Sequence, residues 1–81
     1  MQTVDINTLE WRQLIDYEPG HVEAVHSHEE SEIFFLVSGS MVIDEVELGT
    51  GMLVLIPGGT EYGPTIAGPE GVSFLRLHLQ P

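Results

Sequence analysis

His26 and His28 stand two residues apart, and Glu32 follows four residues after the second histidine. In an extended strand, residues i and i+2 point to the same face. The two imidazoles therefore aim at one spot if this stretch is β. Two histidines plus one carboxylate, with coordination positions left open, is the ligand inventory of a non-haem Fe(II) or related divalent metal site. Gly20 lies before this run and Gly39 after it, where the chain is expected to turn into and out of a pair of strands. Any one of these residues alone means little; the spacing is the specific signal.

The elements that must position these residues read as all-β. Apolar runs are short, rich in Val, Ile, Leu and Phe, and broken by Gly and Pro, the pattern of a small sandwich or barrel. Strands are expected at 3–6, 11–15, 21–28, 32–37, 41–43, 46–48, 52–56 and 72–79. In 21–28, Val22, Ala24, His26 and His28 would share one face, with His21, Glu23, Val25 and Ser27 on the other. Segment 32–37 is nearly continuous apolar, as a strand buried on both faces would be. Phe34 and Leu36, in phase with Glu32, should line the interior beside the ligands. Asp44-Glu45 fills a two-residue hairpin slot. A type I′ turn there needs positive φ at both positions and favours Asp-Gly, so Glu45 suggests another turn. Segment 63–71 holds three Gly and two Pro and reads as a loop. Glu29 and Glu30 read as the solvated turn between two strands, and His21 as surface or interface.

Composition narrows the function classes. Eighty-one residues make one small domain, expected to run over 1–81. A chain of this size buries only about 60% of its unfolded surface and is marginal without help. It has no cysteine, so the remaining helpers are a metal or a partner subunit. Thirteen Asp and Glu oppose two basic residues, Arg12 and Arg76, for a net charge of −11. That charge disfavours nucleic acid and anionic membrane surfaces as partners. No apolar run approaches the ~20 residues that span a bilayer, and the first residues lack a basic n-region and an apolar h-region. A cytoplasmic protein is expected.

The glycine and ligand spacing resembles the cupin superfamily. Gly20, His26, His28, Glu32 and Gly39 reproduce its first motif at every position, and Gly51, Pro57 and Gly59 reproduce the opening of its second. The resemblance covers most of the chain from Gly20 onward. It implies a small antiparallel β-sandwich or jelly-roll barrel with metal ligands lining the interior, often as a dimer. Carried over residue by residue, it makes His26, His28 and Glu32 the ligands. The second-motif histidine is replaced by Tyr62, and Ile66 stands where the family has Asn. Tyr62 then ligates as a phenolate, or hydrogen-bonds to bound water or substrate, or marks a decayed site.

Two function classes follow. The first is a metal-dependent enzyme on a small organic molecule, with Tyr62 as its catalytic residue. Fe would be the preferred ion for dioxygenase-like chemistry; Zn, Mn or Ni would support isomerase or lyase chemistry. The alternative is a non-enzymatic small-ligand-binding or structural cupin with a degenerate metal site. His78 shares a strand face with Phe74 and Arg76 and reads as a rim or interface histidine, with a substitute ligand as its other reading. Arg76 reads as the structural partner of an acid, and Trp11 as core or dimer contact. Leu75, Leu77 and Leu79 point together away from Phe74, Arg76 and His78. With the apolar run 33–37, they exceed what one barrel face can bury, so a homodimer built on sheet packing is expected.

Overall fold

The computed structural model describes residues 11–78, with side chains from residue 13. The expected strand at 3–6, Leu79 and the side chains of Trp11 and Arg12 lie outside the described residues. Among the described residues six strands follow one another: β1 Trp11–Tyr17, β2 Val22–Glu23, β3 Glu32–Ile43, β4 Val46–Gly49, β5 Leu53–Ile56 and β6 Thr65–His78. All pairings are antiparallel.

Two long strands organise the rest. β3 and β6 pair along their whole length. The first half of β3 and the last half of β6 are flanked by β5 and β1. Their other halves are flanked by β4 and β2. Each long strand thus belongs to both layers of a sandwich. It bends between them where the register shifts, between Leu36 and Ser38 and again between Gly39 and Met41. Bulges bend a strand in this way because the unpaired residue kinks it and increases its local twist.

Inward side chains follow the period of two. Phe34 and Leu36 from one half of β3, and Met41 and Ile43 from the other, meet Ala67, Val72 and Phe74 of β6, with Leu48 and Ile56 closing the core. Phe34 and Leu36 do line the interior in phase with Glu32.

Four local expectations are corrected. Segment 32–37 is buried on one face only: Phe35 and Val37 are exposed. Segments 32–37 and 41–43 are one strand, with Gly39 inside it rather than at its end. Gly39 has φ +77, and a Cβ there would collide with the Gly71 carbonyl oxygen. The glycine is demanded by the crossing of the two long strands. Segment 63–71 is mostly strand: residues 68–71 form the bulge of β6 between its Ala67 and Val72 pairings, which explains Gly68, Pro69 and Gly71, while Gly63 and Pro64 precede the strand. Asp44 and Glu45 both take positive φ, 50 and 68, as a type I′ turn requires. The Asp44 carboxylate accepts the Gly63 N–H at 3.0 Å, a tertiary bond that sequence propensity does not contain.

Candidate metal centre

Glu32 opens β3 and is 1% exposed. Its Cα partner across the ladder is His78 of β6, and Arg76 pairs with Phe34 one step along. Glu32, Arg76 and His78 therefore emerge on the inward face at one end of the sandwich. Cross-strand neighbours on one face lie close enough for their side chains to meet.

The histidines arrive from the segment between β2 and β3. This segment is not a continuous strand. Beyond Glu23 the chain bends, and it then makes one isolated bridge, His26 to Tyr62. There the His26 N–H donates to the Tyr62 carbonyl at 3.0 Å, and the Tyr62 N–H donates back at 2.9 Å. The Pro57-Gly58-Gly59 turn holds the next stretch. Gly59 N–H donates to the His28 carbonyl at 2.8 Å, and Gly58 N–H donates to Ser31 Oγ at 2.9 Å. The backbone N–H groups of the second glycine-rich motif thus anchor the first.

The bend breaks the expected alternation. Val22 is exposed, while Glu23 and His26, three residues apart, line the same small cavity. A strict period of two would have put them on opposite faces. His21 stacks on Tyr17 with ring centroids 4.4 Å apart and lies 2.8 Å from the Glu23 carboxylate. Glu29 and Glu30 are exposed, as the turn reading expects.

Four side chains converge on the Glu32 carboxylate. Arg76 Nε donates to Oε2 at 2.6 Å, and His78 Nε2 lies 3.1 Å from the same oxygen. The Tyr62 hydroxyl donates to Oε1 at 3.2 Å, and His28 Nε2 stands 3.6 Å from it. Arg76 Nη2 is also 3.4 Å from His28 Nε2. Burial and then the Glu32 charge push the Tyr62 hydroxyl far above its ordinary range. In the metal-free chain Tyr62 is therefore a neutral hydrogen-bond donor and not a phenolate.

One ligand atom from each of His28, Glu32 and His78 lies within 4.8 Å of the others. A divalent ion binds nitrogen and oxygen donors at about 2.1 Å, so these three atoms are close enough to share one once they draw together and the Arg76 guanidinium yields its place on Glu32 and His28. His78, read from the sequence as a rim residue, is therefore part of the group that could hold a metal. His26 stands beside it: its ring centroid is 5.0 Å from that of His28 and 4.6 Å from that of Tyr62. Its Nδ1 is 2.7 Å from the Ala24 carbonyl. Donation there leaves Nε2 with its lone pair. Arg76 pairs with an acid, as expected, and that acid is Glu32.

Burial lowers the His28 pKa from its ordinary 6.5, and the neighbouring Glu32 charge opposes this only in part. A folded-state pKa below the unfolded one means that the unfolded chain binds the extra proton first. The stability this contributes is present above the unfolded value and is lost as pH falls through the folded one. Metal-free protein should therefore lose stability on acidification below about pH 6.5, and His28→Gln should flatten that part of the profile. Urea midpoints measured across the range check this; a His28→Gln slope equal to that of wild type would contradict it.

The comparisons with known proteins agree with this architecture. The structure is similar to a cupin superfamily protein from Desulfitobacterium hafniense (TM-score 0.75, 16% identity, 86% of this chain and 66% of that one). It is similar to KdgF from Halomonas sp. (TM-score 0.71, 20% identity, 86% and 68%). It also resembles an oxalate decarboxylase variant from Bacillus subtilis (TM-score 0.78, 26% identity, 85% and 20%). A second structure of that decarboxylase, concerned with its Mn(II) centres, matches at 25% identity and TM-score 0.73 over 85% of this chain and 20% of that one. The chain thus spans about two thirds of the first two proteins and a fifth of the decarboxylase. No curated protein sequence matches it. The family model described as a cupin domain matches residues 13–78, and the chain belongs to the cupin superfamily.

Proposed function

We propose that this cupin binds one divalent cation through His28, Glu32 and His78 and holds a small organic molecule beside it. The observation that carries the reading is the meeting of three ligand atoms around a buried carboxylate. Two histidines and one carboxylate leave coordination positions for water or substrate. His26 adds a fourth imidazole at the edge of the group. The likeness to a decarboxylase with Mn(II) centres supports Mn(II) as the first ion to test, with Fe, Zn and Ni after it. Bound there, such an ion would polarise a carbonyl or carboxylate oxygen as a Lewis acid.

The chain's own residues supply orientation. Tyr62 fixes the Glu32 carboxylate through its hydroxyl, and its side chain also lines a cleft of about 250 Å³ walled by Ile43, Leu48, Val54 and Ile56. That volume lies just under the usual range for ligand pockets, about 300–1,000 Å³, so the organic molecule should be small. Tyr62 stands between the cleft and Glu32; its one O–H donates to Glu32 Oε1, so its hydroxyl oxygen is left to accept from a bound molecule. This supports Tyr62 as the residue that touches the ligand, in place of a metal-bound phenolate.

Protein purified from metal-supplemented medium should carry about one ion per chain, and chelation should lower its melting temperature, because the ion binds only the folded chain. His28→Ala and His78→Ala should each weaken binding by about a hundredfold or more. Elemental analysis and thermal melts check this. Metal-free wild type under these conditions would overturn the reading. Loss of metal in His26→Ala with retention in His78→Ala would return the ligand set to His26, His28 and Glu32.

We further infer a homodimer through the outer face of the β1-β6-β3-β5 layer. Two rows of paired side chains cross it: Leu14, Leu75, Phe35 and Leu53, then Ile33 and Leu55 beside Leu77, which is already buried within the chain. Leu14, Leu53 and Leu55 are each about 60% exposed (60%, 61% and 57%), and Val37 extends the patch. Contiguous apolar surface of several hundred Å² marks an interaction site. A partner must match a largely apolar face, with Asp16 at its margin, on a chain of net charge −11. A second copy does so by symmetry, with the same patch on both sides and its acids kept off the buried rows. Sedimentation at micromolar concentration should show a dimer that Leu53→Glu converts to monomer; a wild-type monomer would contradict this.

A further inference from the structure

Arg76 engages the same atoms as the proposed metal ligands. Its Nε donates to Glu32 Oε2 at 2.6 Å, and its Nη2 lies 3.4 Å from His28 Nε2. The guanidinium therefore bridges two of the three residues whose ligand atoms would surround an ion. A divalent cation between Glu32 and His28 needs the oxygen and nitrogen lone pairs that face this guanidinium. It would also sit beside a fixed positive charge in a half-buried site, where like charges repel more strongly than in water. The two cations exclude each other by space and by charge.

We propose that Arg76 is the built-in competitor of the metal: the guanidinium neutralises Glu32 in the metal-free chain, and an ion enters only as Arg76 leaves. This rests on the metal reading above. The fold offers the displaced side chain a second acceptor. Arg76 and Glu23 line the same cavity, of about 20 Å³, beside Tyr62 and His26. The metal-free protein is thereby spared a buried, uncompensated carboxylate, and its metal affinity is set lower than the ligand set alone would give. Loading then depends on how much ion is available, and Arg76 sets that threshold.

The test is calorimetric titration of metal-free wild type, Arg76→Gln and Arg76→Lys with Mn(II) at one neutral pH, with melting curves beside it. Arg76→Gln should bind Mn(II) about tenfold tighter or more, the scale of a lost charge-assisted hydrogen bond. It should also melt lower without metal and gain more in melting temperature from Mn(II) than wild type does. Arg76→Lys keeps one charge without the two-point hold and should fall between, and it stands in if Arg76→Gln does not fold. Equal affinities, or weaker binding in Arg76→Gln, would overturn the competition and leave the metal reading standing. Binding by Arg76→Gln alone would support the competition and overturn the metal reading for the native chain. No binding by any of the three would overturn both.

Discussion

Glu32 is a carboxylate with almost no exposed surface, set between Phe34, Tyr62 and the end of β6 in a chain that already carries eleven excess negative charges. Removing an ionised group from water costs several kcal/mol after relaxation. The fold must return that cost through donors and cations. It does so with Arg76, Tyr62 and His78, drawn from two separate parts of the sequence. Everything distinctive about the site follows from that demand. The carboxylate is held at one end of the sandwich, and two histidines that could ligate an ion stand within reach of it. One of only two basic residues in the chain is committed beside it.

The demand is met because β3 and β6 are long and run side by side. Pairing Glu32 with His78 also pairs Phe34 with Arg76, so one register brings the acid, the cation and a histidine to a single face. A slip of one residue would send all three outward, since side chains alternate across a strand. The register is pinned further along by the bulges and by Gly39, where the backbone of one strand touches that of the other. The glycine at the bend and the carboxylate at the strand end serve the same geometry.

Much of this was legible in the sequence, and the failures have physical causes. Short apolar runs and glycine spacing identified the class of fold, and the placement of Glu32 with Phe34 and Leu36 on one inward face followed from the period of two. His28 was legible for the same reason. The expected phase of Val22 and Glu23 failed because the chain bends just before His26, and a bend governed by pairing with Tyr62 leaves no mark in local alternation. The place of His78 beside Glu32 was not legible because the two lie 46 residues apart and only the register makes them neighbours. The signal that could have found it was the shared phase of Phe74, Arg76 and His78 with a core residue at its start. Segment 63–71 looked like a loop because Gly68, Pro69 and Gly71 belong to a bulge inside a strand, and composition cannot separate the two. The positive φ values at Asp44 and Glu45 were hidden because Asp44 is held by a hydrogen bond to a residue far along the chain.

The central claim is that the metal-free fold depends on an ionised Glu32 and the cations gathered around it. Urea unfolding of metal-free Glu32→Gln tests it most directly, since glutamine keeps the shape and removes the charge. Breaking a buried pair from one side costs about 3–5 kcal/mol, and glutamine can still accept a hydrogen bond, so a loss of about 3 kcal/mol is expected. A Glu32→Gln protein within about 0.5 kcal/mol of wild type would show that the charge is incidental to the fold and would contradict the account.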